Sequence, residues 1–180
     1  MQEEEEFIKQ LLDSKTQNVA FQKLLSTYQK PLYNHIRNIV LNHDDTDDVL
    51  QNTFVKIFQN LKNFKGESKL FSWMYRIATN EAISFLNQKA KKSGISSQII
   101  QDKALDNLRA DVYFDGNEIQ IKLQQAIATL PEKQQLVFKM KYFEELKYEE
   151  ISEILGTSVG ALKASYHHAV KKIESFLTTD

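Results

Sequence analysis

Two prolines and five glycines in 180 residues leave this chain few places to turn sharply, and apolar residues recur at helical spacing almost everywhere outside residues 93–117. Proline lacks a backbone donor and glycine admits the left-handed conformations of tight turns, so their scarcity disfavours hairpin-rich and loop-rich folds. The chain should be nearly all-α. Apolar residues make up 42% of it and aromatic residues 11%, enough for packed cores and too much for disorder throughout. The opening Met1-Gln2-Glu3-Glu4-Glu5-Glu6 has neither the basic nor the apolar stretch of an export signal, and no apolar run approaches membrane-spanning length. A cytoplasmic protein without membrane insertion is expected. The absence of cysteine excludes disulfides and thiolate-bound zinc and fits a reducing compartment.

Along the chain, residues 18–41 give an amphipathic helix with a break near Pro31. In residues 44–61, Leu50, Phe54, Ile57, Phe58 and Leu61 form one stripe, with Asp44 or Thr46 as N-cap and Asp47 and Asp48 in the positively polarised first turn. Gln51, Asn52, Lys56 and Gln59 fall mostly on the other side. The next helix should start after Phe64-Lys65-Gly66-Glu67, capped by Ser68, and run through Trp73 and Tyr75 to about Lys91. Periodicity weakens over 93–117, where Ser, Asp, Asn, Gln and two glycines gather, although Ile99, Ile100, Leu105, Val112, Tyr113 and Phe114 could dock. Beyond it, helices are expected over 118–129, from Pro131 onward, over 147–155 and over 158–177. The expected architecture is two small helical domains, 1–92 and 118–180, joined by a flexible linker, 93–117.

The net charge of −1 hides a segregation. Residues 62–92 carry 7 basic and 2 acidic side chains, whereas residues 1–61 carry 6 and 9, residues 93–117 carry 2 and 4, and residues 118–180 carry 8 and 9. Positive charge is concentrated in one block, the footprint expected when only a patch meets phosphate.

Residues 148–170 read as two short amphipathic helices bent around Gly156, the sequence form of a helix-turn-helix, which places one helix in a DNA major groove. Ile151, Ile154 and Leu155 on the first helix and Val159 and Leu162 on the second are spaced to pack together, and Thr157 or Ser158 caps the second. Ser158, Gly160, Lys163, Ala164, Ser165, His167 and His168 are then left outward, with Lys171 and Lys172 extending the positive edge. Lys163 can donate to a guanine edge or a phosphate. An ordinary helical hairpin is the plainer alternative, but cap, turn and outward basic residues agree on DNA.

The basic block joins Lys62, Lys65, Lys69, Arg76, Lys89, Lys91 and Lys92 to Phe64, Phe71, Trp73, Tyr75 and Phe85, a mixture suited to single-stranded nucleic acid: cations track the backbone, aromatic faces receive bases. Phe71, Tyr75 and Phe85 fit a core better than a ligand surface. The glycine-containing loop 64–68 lies between helices and can shape a base pocket. An enzyme is not expected, since His35, His43, His167 and His168 include no pair at ligand spacing and no glycine-rich phosphate loop is present, which also argues against a metal or other cofactor. A conventional transcription regulator would explain the helix-turn-helix but leave the basic aromatic block without a task.

Taken in order, Asp47-Asp48-Val49-Leu50-Gln51-Asn52-Thr53-Phe54-Val55-Lys56-Ile57-Phe58, then Phe64-Lys65-Gly66-Glu67-Ser68 with Trp73-Met74-Tyr75-Arg76-Ile77-Ala78-Thr79-Asn80, then Leu130-Pro131 and Ser158-Val159-Gly160-Ala161-Leu162-Lys163, resemble bacterial sigma factors of the extracytoplasmic-function (ECF) group of the sigma-70 family. The resemblance covers roughly residues 20–178. It implies a transcription initiation factor that directs core RNA polymerase to promoter DNA and assists promoter opening. By position, it implies that Asp47, Asp48, Gln51, Asn52 and Phe58 bind the clamp helices of the polymerase largest subunit. Phe64, Lys65, Gly66, Glu67, Ser68, Lys69, Trp73, Arg76 and Asn80 would open and read the −10 element. Ser158, Gly160, Lys163, Ala164, Ser165, His167, His168 and Lys171 would read the −35 element, while their domain touches the flap of the second subunit and the linker threads toward the RNA exit path. An anti-sigma factor is implied as a further partner. The recognition helix departs from the family pattern, with Ala164-Ser165 where relatives commonly carry Ser-Arg, so fewer permanent charges face DNA.

Overall fold

A computed structural model describes residues 2–108, 111 and 116–179; Val112, Tyr113 and Phe114, expected to dock, lie outside the described residues. Among the described residues there are helices and no strands: α1 (Gln2–Leu12), α2 (Gln17–Val40), α3 (His43–Asn60), a 3-10 turn (Leu61–Asn63), α4 (Leu70–Ser93), α5 (Ser97–Asp106), α6 (Glu118–Ala128), α7 (Glu132–Tyr142), α8 (Tyr148–Leu155) and α9 (Val159–Thr178).

The apolar stripes dictate the packing. Leu24, Leu32 and Ile36 of α2, Ile57 of α3 and Met74 and Ala78 of α4 are essentially inaccessible to water, and the three helices pack on one another as a bundle under α1. In the other half, Ala126 and Ile127 of α6, Phe138 of α7 and Ala169 and Ile173 of α9 form a second core. Between the halves the packing does not stop. Leu136, Val137, Met140, Ile151, Ile154 and Leu162 are continuous with the core of α2–α4, and α8 lies directly against α4.

Several local expectations are corrected. Pro31 sits inside an uninterrupted α2, not at a break. The N-cap of α3 is Asn42, whose side chain accepts from the Asp45 N–H at 2.9 Å; Asp44 follows it, and Thr46 is buried and donates to the Asn42 carbonyl. Ser68 does not cap α4, which starts at Leu70 with Lys69 as its uncapped preceding residue. The segment 93–117 is not wholly irregular: Ser96 caps the ten-residue α5, which buries Ile100 and Leu105 and leaves Ile99 exposed. Ten residues can satisfy a helix end and bury two side chains even where the wider apolar pattern is weak.

Candidate nucleic-acid and polymerase interfaces

On α3 the candidate residues span an arc of roughly 140° at 100° per residue, from Asp47 and Phe58 at one edge, through Gln51, to Asp48 and Asn52 at the other, within a wider exposed face that also carries Lys56 and Asn60. Val55 stands at the middle of that arc and is 53% exposed. The sequence reading missed it, although an apolar residue off the buried stripe was the available signal. Phe58, placed by the sequence on the apolar stripe, is 42% exposed and meets Phe21 of α2 edge-on at 5.0 Å. Two apolar side chains ringed by amides and carboxylates make a face suited to a protein partner. Asp47 also pairs with His43 one turn earlier at 3.5 Å, which marks it as the edge of this face.

The loop after the 3-10 turn builds a different surface. Gly66 adopts φ +71, a left-handed conformation that a side chain would strain. The chain reverses there, and Asn63, Phe64, Lys65, Glu67, Ser68, Trp73 and Arg76 enclose a cleft of about 380 Å³. Phe64 is buried and packs on Trp73 with ring centres 5.1 Å apart, so these aromatics form the wall of the cleft. Trp73, Arg76 and Asn80 follow at i, i+3 and i+7 on one stripe of α4. Tyr75 is buried and Phe71 and Phe85 pack against the core, as their spacing predicts.

Two cations of this surface already have acceptors in the other half of the chain. The Arg76 guanidinium donates through Nε at 3.1 Å to the backbone carbonyl of Glu153, and Lys69 lies 3.8 Å from Glu150, both on α8. Behind them is a buried latch. Both ring nitrogens of His35 are hydrogen-bonded, Nδ1 to Glu144 at 2.9 Å and Nε2 to the Thr79 hydroxyl at 2.8 Å, and Asn38 donates to the same carboxylate at 3.4 Å. Glu144 is delivered by a turn in which Glu145 takes φ 54, a conformation a non-glycine residue holds only where its surroundings fix it. Lys139, only 4% exposed in the same interface, has its ammonium pushed down to about 8 by burial, with Glu144 opposing the shift.

In the helix-turn-helix, Gly156 makes the corner at φ 65 and Ser158 caps α9, accepting from the Ala161 N–H at 3.3 Å. Ile151, Ile154 and Leu162 are buried between the two helices, while Leu155 and Val159 are half-buried at the edge. Gly160, Lys163, Ala164, His167, His168 and Lys171 are exposed along one strip of α9 beside the exposed Ser158. Ser165 does not join them: it is half-buried on the flank, about 100° beyond Ala164. The Lys163 ammonium rests 5.8 Å from the centre of the Tyr148 ring, which places a half-buried aromatic under the strip. His167 and His168 diverge, with ring centres 6.0 Å apart, and among the described residues no three His, Asp or Glu are grouped to hold a metal ion. No helix among them is long and apolar enough to cross a membrane.

A cleft lined by Lys65, Arg76 and two aromatics on one half, and an open helix-turn-helix on the other, point to a helical DNA-binding factor. Two family models match in the same order, Sigma-70 region 2 over residues 24–92 and Sigma-70, region 4 over residues 120–173. Among curated relatives, the RNA polymerase sigma factor SigZ of Bacillus subtilis is 30% identical over 86% of this chain and 85% of its own length. The ECF RNA polymerase sigma factor SigW of the same organism is 28% identical over 82% and 83%, and the ECF RNA polymerase sigma-E factor of Haemophilus influenzae 29% over 87% and 86%. The fold is shared with CnrH, solved with the cytosolic domain of CnrY, at TM-score 0.67 and 20% identity over 91% of this chain and 90% of that one. It is shared also with the sigma factor RpoE of Bartonella quintana, solved with the anti-sigma factor NepR, at TM-score 0.65 and 18% identity over 89% and 98%. The chain belongs to the sigma-70 family, in its extracytoplasmic-function group, and is a factor that directs RNA polymerase to promoters for the initiation of transcription.

Proposed function

We propose that three surfaces divide this work. The α3 face centred on Val55 and Phe58, with Asp47, Asp48, Gln51 and Asn52, binds the clamp helices of core polymerase. The 64–76 cleft with Asn80 takes the −10 strand as it leaves the duplex, and the α9 strip reads the −35 duplex. Catalysis belongs to the polymerase, so the chain works as a binding factor, in the cytoplasm where its enzyme is. An anti-sigma protein that covers the α3 face or the seam between the halves is the expected regulator, since both structural neighbours were solved with protein partners, one of them an anti-sigma factor.

The observation that carries the reading is the seam itself. Residues 1–92 and 118–180, read as two units, are packed together with Arg76 and Lys69 turned onto α8. Promoter elements about one and a half turns apart, on the order of 50 Å, cannot be reached from that arrangement. With α5 intact, the segment 93–117 spans about 15 Å of helix and at most about 50 Å over its other fifteen residues, so it reaches only when those are extended and held. Polymerase is the scaffold that parts the halves and makes the second DNA contact intramolecular.

Run-off transcription with purified core enzyme and a randomised promoter library tests this directly. The chain should join the enzyme stoichiometrically and move the start sites. Failure to do either removes the proposal. Phe64→Ala and Asn80→Ala should impair duplex promoters more than templates already mismatched at −10, whereas equal loss on both removes the melting role.

A further inference from the structure

α4 carries the cleft residues, yet its first turn has no acceptor of its own, because Lys69, the residue before it, is a cation. The acceptor comes from the opposite end of the half: Glu4 Oε1 accepts from the Leu70 N–H at 3.0 Å. A carboxylate there meets both an orphan donor and the positive end of a 24-residue helix.

Glu4 is held in place by its own helix. Phe7, Ile8 and Leu11 follow it at i+3, i+4 and i+7, so all four share one stripe of α1. Leu11 is buried, Phe7 and Ile8 pack against the core, and the Lys23 ammonium lies 5.5 Å from the centre of the Phe7 ring. α1 packs across α2 and the 3-10 turn that leads into the loop. The hydroxyl of Tyr28 on α2 is pushed up first by burial and then by the Glu4 carboxylate, which sets that carboxylate beside α2 as well as over the start of α4.

The loop 64–69 is therefore tied at both ends. At its entry the Phe64 N–H donates to the Leu61 carbonyl at 3.0 Å; at its exit Glu4 holds Leu70. Between Phe64 and Leu70 no side chain is buried, so at the far end the buried Leu70 side chain and the Glu4 bond to its N–H hold the loop. Resting on the reading of this cleft as the −10 strand reader, we infer that Glu4 is a positioning residue for −10 recognition: it fixes where α4 begins, and with it the angles at which Lys69, Trp73 and Arg76 face the strand.

The test uses core polymerase bearing the full chain, Glu4→Ala or Glu4→Gln, selecting from a premelted template library randomised across −10, with −35 randomised in a parallel library. Glu4→Ala should lower enrichment of the preferred −10 bases roughly fivefold, the size of a lost helix cap, and leave polymerase retention and −35 enrichment unchanged. Glu4→Gln keeps an oxygen that accepts from Leu70 and should retain most of the enrichment. Unchanged −10 enrichment in Glu4→Ala, equal loss in both libraries, or a Glu4→Gln loss as large as that of Glu4→Ala each overturn the inference. So does tighter strand binding with unchanged selectivity, since the carboxylate would then only compete with phosphate. Phe64→Ala and Trp73→Ala on the same library separate the two levels. If they leave −10 selectivity intact, the cleft assignment itself fails; if they abolish it and Glu4→Ala does not, only the role of Glu4 falls.

Discussion

The two surfaces proposed to meet DNA are built on opposite plans. In the 64–76 cleft several groups are tied down: Phe64 packs on Trp73, Lys69 lies near Glu150, Arg76 donates to Glu153, and the Leu70 N–H donates to Glu4. On α9 the outward strip of Gly160, Lys163, Ala164, His167, His168 and Lys171 is open to solvent, with only Lys163 leaning on a ring. The contrast matches what each surface is proposed to bind. Duplex DNA offers a rigid groove that a bare helix can enter, whereas an unstacked base needs a preformed wall and a fixed depth. A reader of flexible strand must itself be rigid, and its rigidity is borrowed from distant elements.

The largest effect that would break this contrast comes from the shared core. Ile151 of α8 is fully buried in the packing that joins the helix-turn-helix to α4. Ile151→Ala should cost about 2–5 kcal/mol in urea unfolding. It should also free Arg76; a variant that loses stability but keeps the halves at their wild-type separation, measured by energy transfer between labels, would uncouple core and seam.

Lys139 gives the next effect, with the opposite sign. Its folded value, lowered to about 8 from 10.5, means that the unfolded chain holds the proton more firmly between those limits. Stability contributed by this site therefore rises as pH goes from about 8 to 10.5, and the penalty for the buried charge is complete below about 8. Lys139→Met should stabilise the protein at pH 7 by up to about 3 kcal/mol, a gain that fades toward pH 10.5. Thermal unfolding of both proteins at several pH values checks it, and a gain independent of pH would assign the effect to packing.

Lys163→Ala sharpens the open surface. A direct base contact predicts a loss of about 1–3 kcal/mol confined to particular −35 bases, while uniform loss over all sequences reassigns Lys163 to phosphate. Smallest is Ser158→Ala, which removes the α9 cap and should cost ~1 kcal/mol of stability with no change in base preference. A changed preference would make Ser158 a reader as well as a cap.

Much of this was legible beforehand because it is local. The helical periodicity of α2–α4 and α6–α9, the Gly156 corner, the Ser158 cap, the outward α9 strip and the core role of Tyr75 all depend on neighbours within a few residues. Elsewhere a purely local rule went wrong. Ser68 had the right chemistry to cap α4 but lost to Glu4, which lies 66 residues before Leu70 in sequence. Thr46 and Asp44 were displaced by Asn42, and Ser165 turned onto the flank of its helix. Val55 escaped notice because an exposed apolar residue means something only once the buried face is known.

By itself the sequence settled the helical class, the family and the order of its two family regions, since periodicity, turn residues and motif spacing are properties of short segments and of their succession. Only tertiary structure decided that the two halves are closed on each other, that His35 and Glu144 fasten them, and that the cleft is framed from α1. Those facts are contacts between segments tens of residues apart, and a contact of that kind has no periodicity to betray it: it exists because one packing of these helices buries apolar surface while leaving buried polar groups such as His35 a partner.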